Sequence, residues 1–206
     1  MNVYSLQTGP IQNNVYIVEK GGKAVIIDCG MDFEVVQNFL EEKGLTLTAI
    51  LLTHSHFDHL LTADRFQKGG AKVYIGSIDG EKVKKGDILS QAFNLPSKAF
   101  TPDFLLNDGD KIELNGLTFE VILTPGHTDG SVCYLVEDCL FSGDTLFMLS
   151  IGRTDFPTGS YEDMISSLKR LSTLDKNLKV YPGHGEETIL GFEIKNNPYM
   201  RRYDKD

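Results

Sequence analysis

Short runs of β-branched and other apolar residues, separated by polar turns, mark the beginning of the chain. Residues 3–6, 15–19 and 24–28 each have the length and composition of a strand. The last two runs are joined by Lys-Gly-Gly-Lys at residues 20–23, a sequence that is typical of a tight hairpin. The pattern therefore predicts that the chain opens with antiparallel strands.

Three helices are predicted from the spacing of apolar residues and from capping signals. Asp32 or a neighbour can cap the first helix, and Gly44 is placed to end it. The apolar face of this helix consists of Val35, Val36, Phe39 and Leu40. Residues 60–67 predict a second helix. Residues 160–163, Ser-Tyr-Glu-Asp, resemble a capping box and predict a third helix over residues 164–171.

The rest of the chain again favours strands. They are predicted at residues 49–52, 73–75, 111–114, 117–123, 132–136, 139–142 and 179–181, the last being the final strand. Hairpin turns are indicated at Asn115-Gly116 and at Glu137-Asp138. Residues 76–103, with a short amphipathic piece at 88–93, predict an irregular segment that crosses the face carrying the candidate active site.

Two blocks of strands with covering helices predict an α/β (α+β) fold in which two sheets pack together and helices lie outside them. The length of 206 residues suits one globular domain, which we expect to span residues 1–206. No internal repeat or low-complexity linker interrupts it.

Composition and charge narrow the class of protein. The net charge of -9 argues against nucleic acid as a partner, because such binding needs clustered Lys and Arg. The N-terminus lacks the pattern of a signal peptide, and no apolar run has membrane-spanning length. Cys29, Cys133 and Cys139 lack the paired spacing of a zinc or redox motif. We therefore expect reduced packing cysteines in a cytoplasmic protein without a membrane partner.

Residues 53–59, Thr-His-Ser-His-Phe-Asp-His, follow the apolar run at 49–52 and contain a dense set of metal-ligand side chains. The four candidates are His54, His56, Asp58 and His59. Four such groups so close together cannot all reach one small cation without clashing, so the motif predicts two adjacent ions.

The remaining candidate ligands also follow apolar runs. His127 and His184 each come after a Pro-Gly pair, and Asp144 comes after a Ser-Gly pair. The whole sequence has five histidines, so none is left for scattered surface positions. A coincidence of strand-ending turns would not place a histidine after each Pro-Gly pair, and the pattern favours a functional metal site.

The seven candidate ligands together resemble the metallo-β-lactamase superfamily, and the resemblance covers essentially the whole chain. Within it, residues 141–147, 151–156, 181–185 and 197–201 resemble the short form of the glyoxalase II-like (hydroxyacylglutathione hydrolase-like) branch. The resemblance implies an αββα sandwich whose metals lie along one edge of the sheets.

The resemblance also implies how the ligands divide. His54, His56 and His127 would hold the first metal, and Asp58, His59 and His184 the second, with Asp144 bridging the two. Asp28 would support the ligand loop from behind. Two divalent ions are expected, zinc first and iron or manganese as alternatives. A metal-held hydroxide would be the nucleophile, with Asp58 and His59 assigned to catalysis as well as to binding.

Differences between this chain and other members of the superfamily that it resembles narrow the range of expected substrates. Common zinc β-lactamases have Arg after Asp58 and Cys in place of Asp144, so antibiotic hydrolysis is not favoured. Long glyoxalase II enzymes add a C-terminal helical domain, and they carry Lys and Tyr where this chain has residues 151–156. The predicted substrate is a small acyl thioester such as S-lactoylglutathione. Arg153 is a candidate contact for a substrate carboxylate, unless it pairs with Asp155 instead.

Two other functions stay open at this point. One is a mononuclear iron persulfide dioxygenase, because that branch shares the same ligand types. The other is a non-catalytic metal-binding protein, although seven ligands exceed what a closed structural zinc site requires. The oligomeric state is left open.

Overall fold

The computed structural model describes residues 1–86 and 99–203 and contains two six-stranded sheets. The first is built from β1 (Asn2–Thr8), β2 (Asn13–Lys20), β3 (Lys23–Ile27), β4 (Thr46–Leu52), β5 (Lys72–Gly76) and β6 (Phe104–Leu106), side by side in that order. The second half of the chain contains β7 (Lys111–Leu114), β8 (Leu117–Leu123), β9 (Val132–Val136), β10 (Cys139–Gly143), β11 (Leu146–Phe147), β12 (Ser150–Ile151), β13 (Lys179–Pro182) and β14 (Thr188–Ile189). The second sheet has the order β14-β13-β10-β9-β8-β7, and β11 pairs with β12 in a separate hairpin.

The helices of the described residues connect and cover these strands. They are α1 (Phe33–Glu42), α2 (Phe57–Leu60), α3 (Ala63–Lys68), α4 (Ser77–Val83), α5 (Tyr161–Leu171) and α6 (Leu190–Asn196), followed by a 3-10 turn at Arg201–Tyr203. In the part of the chain that the structure describes, none of them has the length and apolar character needed to cross a membrane.

Alternation along the strands explains why the two sheets pack together. In the first sheet, Ile17, Ile26 and Ile50 point outward to a cluster that includes Val36 of α1 and Phe66 of α3. Their sequence neighbours point inward to a second cluster, which contains Val18, Val25, Leu51, Phe119, Tyr134 and Phe141. A third cluster lies between the outer face of the second sheet and the two helices α5 and α6. These layers confirm the predicted αββα sandwich.

Strand direction determines where the site forms. β3 and β4 are parallel, as are β10 and β13. β8 also has the same direction as β10, because both are antiparallel to β9, which lies between them. The carboxyl ends within each of these sets therefore lie at one edge, and the candidate ligands follow these ends.

Two local predictions were correct in position but different in detail. The side chain of Asp32 does not cap α1; its Oδ2 accepts a hydrogen bond from the Gly9 N–H instead. The helix predicted at residues 60–67 is interrupted between α2 and α3. At the interruption, the backbone N–H of Thr62 donates to the carbonyl oxygen of Gly30 instead of to the preceding turn, and its Oγ1 donates to the carbonyl oxygens of Cys29 and Gly30, in the loop after β3.

Several short elements were not predicted from the sequence. They are α4, β6, the hairpin of β11 and β12, β14 and α6. The strand at residues 179–181 is therefore not the last one, because β14 pairs with it. The amphipathic piece predicted at 88–93 lies outside the described residues. The capping signal at Ser160 was correct, since its Oγ accepts a hydrogen bond from the Asp163 N–H.

Candidate metal centre

Three histidines from two strand ends form the first group of candidate ligands. His54 and His56 lie in the loop after β4, and His127 lies beyond β8. One ring nitrogen of each lies within 4.8 Å of the others. Nε2 of His127 is 2.8 Å from Nδ1 of His56. All three side chains are buried, so the group forms a compact set of nitrogen donors.

The second group combines one turn of helix with the end of β13. Asp58 and His59 lie on α2, and His184 follows the Pro-Gly pair at the end of β13. Oδ2 of Asp58 is 3.2 Å from Nε2 of His59 and 3.1 Å from Nε2 of His184. The structure thus brings together the same three residues that the sequence resemblance grouped as a second set.

Asp144 lies between the two groups. Its Oδ1 is 3.5 Å from Nε2 of His59, and its Oδ2 is 3.4 Å from Nε2 of His127. Nε2 of His184 is 3.8 Å from the same Oδ2. Asp144 therefore faces a member of each group, as a bridging carboxylate must.

Buried polar atoms without partners test whether divalent cations fit here. Nε2 of His54, Nε2 of His59 and Oδ1 of Asp144 are buried and have no hydrogen-bond partner among the residues that the structure describes. Leaving such atoms unsatisfied costs free energy, and each is an atom type that binds zinc or iron. The donor set and its orphaned atoms fit two adjacent divalent ions.

Asp28 supports this centre from behind. Its Oδ2 accepts hydrogen bonds from Nδ1–H of His59 and from Oγ1 of Thr53, both at 2.8 Å. Its Oδ1 accepts from the Thr53 N–H at 2.8 Å. Because Nδ1 of His59 is engaged in this way, Nε2 is directed at Asp58 and Asp144, the arrangement typical of a carboxylate behind a metal-bound histidine.

Close packing around Asp144 explains one of the glycines. A Cβ on Gly183 would collide with Oδ1 of Asp144 and approach Cε1 of His59 to 2.8 Å. The Pro-Gly pair before His184 therefore leaves room for the candidate ligands as well as ending the strand.

Asp79 is a fully buried residue of the site region that sequence reasoning missed. It lies on α4, and its Oδ2 accepts hydrogen bonds from the Ser55 N–H and from Oγ1 of Thr128, both at 2.8 Å. Oδ1 is paired with Nζ of Lys82 at 2.8 Å. Asp79 thus joins the loop of His54 and His56 to the loop of His127. Its only signal in the sequence is a carboxylate in the first turn of a short helix, which is weak.

Burial and neighbouring charges set the protonation of the ligands. Burial lowers the pKa of His54 well below its ordinary value, and neighbouring imidazoles act in the same direction. Burial, followed by His127, lowers the pKa of His56 to about 2. Both rings are therefore neutral at pH 7, the form that binds a metal.

The second group is charged. Burial opposes a charge on His59, but the carboxylates of Asp58, Asp144 and Asp28 outweigh it and raise the pKa of His59. Burial also opposes a charge on Asp58, yet His59 and His184 hold the pKa of Asp58 well below its ordinary value. A divalent cation would take the place of the shared protons, since ligating imidazole is neutral.

Arg153 makes two different contacts. Its backbone oxygen accepts a hydrogen bond of 2.7 Å from Nδ1–H of His127. Its guanidinium is exposed, pairs with both carboxylate oxygens of Asp155 at 2.9 and 2.7 Å, and stacks 4.1 Å from the ring centre of Phe156. The pairing with Asp155 is the alternative that the sequence left open. A substrate contact by Arg153 stays a prediction.

The family model described as "Metallo-beta-lactamase superfamily" matches residues 8–184. The hydroxyacylglutathione hydrolase GloC of Haemophilus influenzae is 36% identical over 209 residues, covering 97% of this chain and 98% of GloC. This match over the full length agrees with the glyoxalase II-like short form.

Three solved structures share the fold over nearly the whole chain. A protein titled BLEG-1 B3 metallo-beta-lactamase has a TM-score of 0.90 and 35% identity, over 97% of this chain and 99% of its own. The structure of TTHA1623 in a di-iron-bound form has a TM-score of 0.86 and 36% identity, over 96% of this chain and 100% of its own. ETHE1 from Myxococcus xanthus has a TM-score of 0.82 and 30% identity, over 97% of this chain and 84% of its own. With its αββα sandwich and its His and Asp cluster at the sheet edge, the chain belongs to the metallo-β-lactamase superfamily.

Proposed function

We propose that this protein is a binuclear metal-dependent hydrolase that cleaves a small acyl thioester, such as S-lactoylglutathione or a related thiol ester. The observation that carries the proposal is the presence of two adjacent ligand groups that Asp144 connects. The similarity to GloC, whose name describes a thioester hydrolase, supports the reaction class.

The proposed roles follow the two groups. His54, His56 and His127 hold one divalent ion, and a second set holds the other, with one carboxylate between them. The second set is Asp58, His59 and His184, and the carboxylate is that of Asp144. Zinc is the proposed metal, with iron or manganese as alternatives. When bound, the two cations would supply an acidified water as nucleophile and would polarise the thioester carbonyl.

The chain itself supplies orientation and charge. Asp28 holds the proton on Nδ1 of His59, and Nε2 is thereby left available as a metal ligand. The backbone oxygen of Arg153 does the same for His127. The carboxylates of Asp58 and Asp144 reduce the repulsion between two adjacent cations.

A cysteine nucleophile is not part of the proposal. Cys29, Cys133 and Cys139 are free and buried. Burial raises the pKa of the Cys29 thiol to about 12 and those of the other two to about 11. At neutral pH these thiols are protonated and inaccessible, so no acyl-enzyme is expected on them.

The alternative function is a mononuclear iron persulfide dioxygenase. The observation that favours it is the similarity to ETHE1, which covers 97% of this chain. A mononuclear enzyme would need one of the two ligand groups. The second group, in which Asp58 and His59 are buried and His184 is partly exposed, has its ligand atoms within the same 4.8 Å of one another as the first group, and this favours the binuclear hydrolase.

A panel of thioesters and a persulfide, offered to protein reconstituted separately with zinc, manganese and iron, tests the choice. The proposal predicts release of free thiol from a thioester, loss of activity with a chelator and recovery with metal. Sulfite formation from the persulfide with iron, without thioester cleavage, would select the dioxygenase.

The proposed function also includes a domain organisation, a class of partner and a cellular location. We infer one domain over residues 1–206, a small-molecule substrate and no nucleic-acid partner, in line with the net charge of -9. We place the protein in the cytoplasm, where cysteines that are free in the structure stay reduced.

A further inference from the structure

An exposed apolar loop lies beside the candidate metal centre. Met148 and Leu149, here called the apolar tip, connect β11 to β12 and are 40% and 44% exposed. Leu149 has a φ of 55°, a left-handed conformation that is unfavourable for a residue with a branched side chain. The fold thus holds two large apolar side chains in water in a strained turn, a combination typical of binding sites.

Buried polar groups from α6 and its C-terminal end keep the apolar tip in place. Glu193 is fully buried, and its Oε2 accepts a hydrogen bond of 2.8 Å from the Leu149 N–H. Oε1 of Glu193 accepts from Oγ1 of Thr188 at 2.7 Å. The buried Asn197 donates through Nδ2 to Oε2 of Glu193 at 2.8 Å and to the backbone oxygen of Ser150 at 3.1 Å. A buried carboxylate is costly unless it is hydrogen-bonded, and these donors offset that cost while holding the backbone of Leu149 in place.

The apolar tip forms one wall of a pocket whose other wall includes a candidate metal ligand. The pocket has a volume of about 420 Å³. Its lining consists of Phe147, Met148, Leu149, His184, Gly185 and Glu186. A molecule whose reacting carbonyl lies at the metal centre would place a neighbouring group against the apolar tip.

The charges around this pocket do not suit an anion. Among the lining residues that the structure describes, Glu186 has an exposed carboxylate, His184 belongs to the candidate metal centre, and none is Lys or Arg. Arg153 is not among the lining residues, although it lies four residues after Leu149, and its Nε and Nη2 already donate to Asp155. A carboxylate against Met148 and Leu149 would lose part of its hydration without gaining a Lys or Arg of the lining as a partner.

We propose that the group of the thioester that lies beside His184 is apolar and uncharged, and that Met148 and Leu149 select it. This inference rests on the proposed hydrolase function and deepens it by naming the substrate class. Of the thioesters named in the proposed function, this pocket therefore fits a related thiol ester with a neutral thiol and an aliphatic acyl chain better than S-lactoylglutathione, whose thiol carries carboxylates.

A matched set of substrates tests the inference with zinc-loaded protein. The hexanoyl thioester of N-acetylcysteamine is compared with the half-thioester of adipic acid on the same thiol, which replaces the terminal methyl by a carboxylate. Hexanoyl glutathione supplies the arm in which the thiol carries the charge. The neutral thioester is expected to have the highest kcat/KM, by about tenfold.

Variants connect the preference to the apolar tip. Met148→Ser is expected to lower kcat/KM for the neutral thioester by about tenfold and to change that for the charged thioesters much less. Val35→Ser is the matched control, because Val35 is a similarly exposed apolar side chain on α1. An equal loss for all three substrates, or a wild-type preference for a charged one, would overturn the inference.

A second readout does not depend on turnover. Protein labelled at its methionine methyl groups is titrated with S-hexyl-N-acetylcysteamine, a thioether that cannot be hydrolysed. The methyl signal of Met148, assigned with Met148→Leu, is expected to shift with this ligand and to stay in place with an ω-carboxylated analogue. If thioesters are cleaved while this signal does not respond, the inference fails and the hydrolase stands. If no thioester is cleaved, the hydrolase fails, and the methyl signal alone decides whether the pocket takes an apolar group.

Discussion

Asp28 supports the candidate metal centre through its backbone as well as through its carboxylate. It has a φ of 52°, which turns the chain sharply after β3 and directs both carboxylate oxygens at Thr53 and His59. Asp tolerates this left-handed conformation better than most residues, and Asn tolerates it as well. The position therefore allows the charge of the acceptor to be changed without changing the turn.

Replacing Asp28 by Asn is expected to lower metal affinity by about 10–100-fold, because Nδ1 of His59 loses its charged acceptor. Competition with a chromogenic chelator measures the affinity. Asp138→Asn is the control, since Asp138 is an exposed carboxylate that pairs with Lys179. If Asp28→Asn binds zinc as tightly as the wild type, Asp28 is no more than a turn residue.

Arg153 is the site residue whose role the sequence left most open. Because Nε and Nη2 of Arg153 already donate to Asp155, we expect Arg153→Ala to change kcat/KM for charged and neutral thioesters by the same factor. A substrate anchor would behave differently. It would raise KM for acidic thioesters alone while kcat stays nearly unchanged, and steady-state kinetics on both substrate types separates the two outcomes.

At the scale of secondary structure, long elements with a clear period were predictable and short ones were not. The longer strands of both sheets and their hairpins follow from alternation and turn residues, as at Asn115-Gly116. β11, β12 and β14 have two residues each, too few to show any period. These short elements depend on tertiary contacts, such as that between Leu149 and Glu193.

The candidate site shows the same division. The candidate ligands could be recognised in the sequence, because each is a histidine or aspartate in a segment that follows a strand end. Asp79 and Glu193 were not, because their importance arises from contacts with residues far away in the sequence. Asp79 contacts Thr128, and Glu193 contacts Leu149.

The edge strand β6 provides a test of stability at this scale. Asp103, which precedes β6, accepts hydrogen bonds from Nζ of Lys72, the Val73 N–H and Nε2 of Gln67. Burial opposes its charge, but these donors outweigh burial and lower the pKa of Asp103 below its ordinary value of 3.8. The carboxylate therefore stabilises the folded state above that value, and this contribution disappears as pH falls through the lowered pKa.

Asp103→Ala is accordingly expected to reduce the free energy of unfolding by about 1 kcal/mol at neutral pH. The difference from the wild type should shrink as pH falls below about 4, where the unfolded carboxyl gains its proton. Urea unfolding across this range measures it. Glu42→Gln, at an exposed position of α1, is the control. A difference that is constant with pH would show that the charge of Asp103 has no role.

At the scale of the whole molecule, the sandwich brings ligands from both sheets to one edge. His54 and His56 follow a strand of the first sheet, while His127, Asp144 and His184 follow strands of the second. Metal binding should therefore connect the two halves and raise the free energy of unfolding, because ions that bind only the folded state stabilise it.

Asp144 faces both ligand groups, so Asp144→Ala should remove paired metal binding together with hydrolysis. Cys139→Ser changes a residue with no proposed role at the site and should leave metal content intact. Metal analysis of both purified variants, beside the wild type, measures this. Full metal content in Asp144→Ala would mean that the two groups bind independently of the residue between them.

The most direct test of the central claim is one titration. Zinc is added stepwise to metal-stripped protein, and bound zinc per chain is recorded together with the rate of thiol release from a neutral thioester. We predict saturation at about 2 ions per chain, with activity that follows occupancy of the second site. Saturation at one ion with the full rate, or two bound ions without thiol release, would contradict the account.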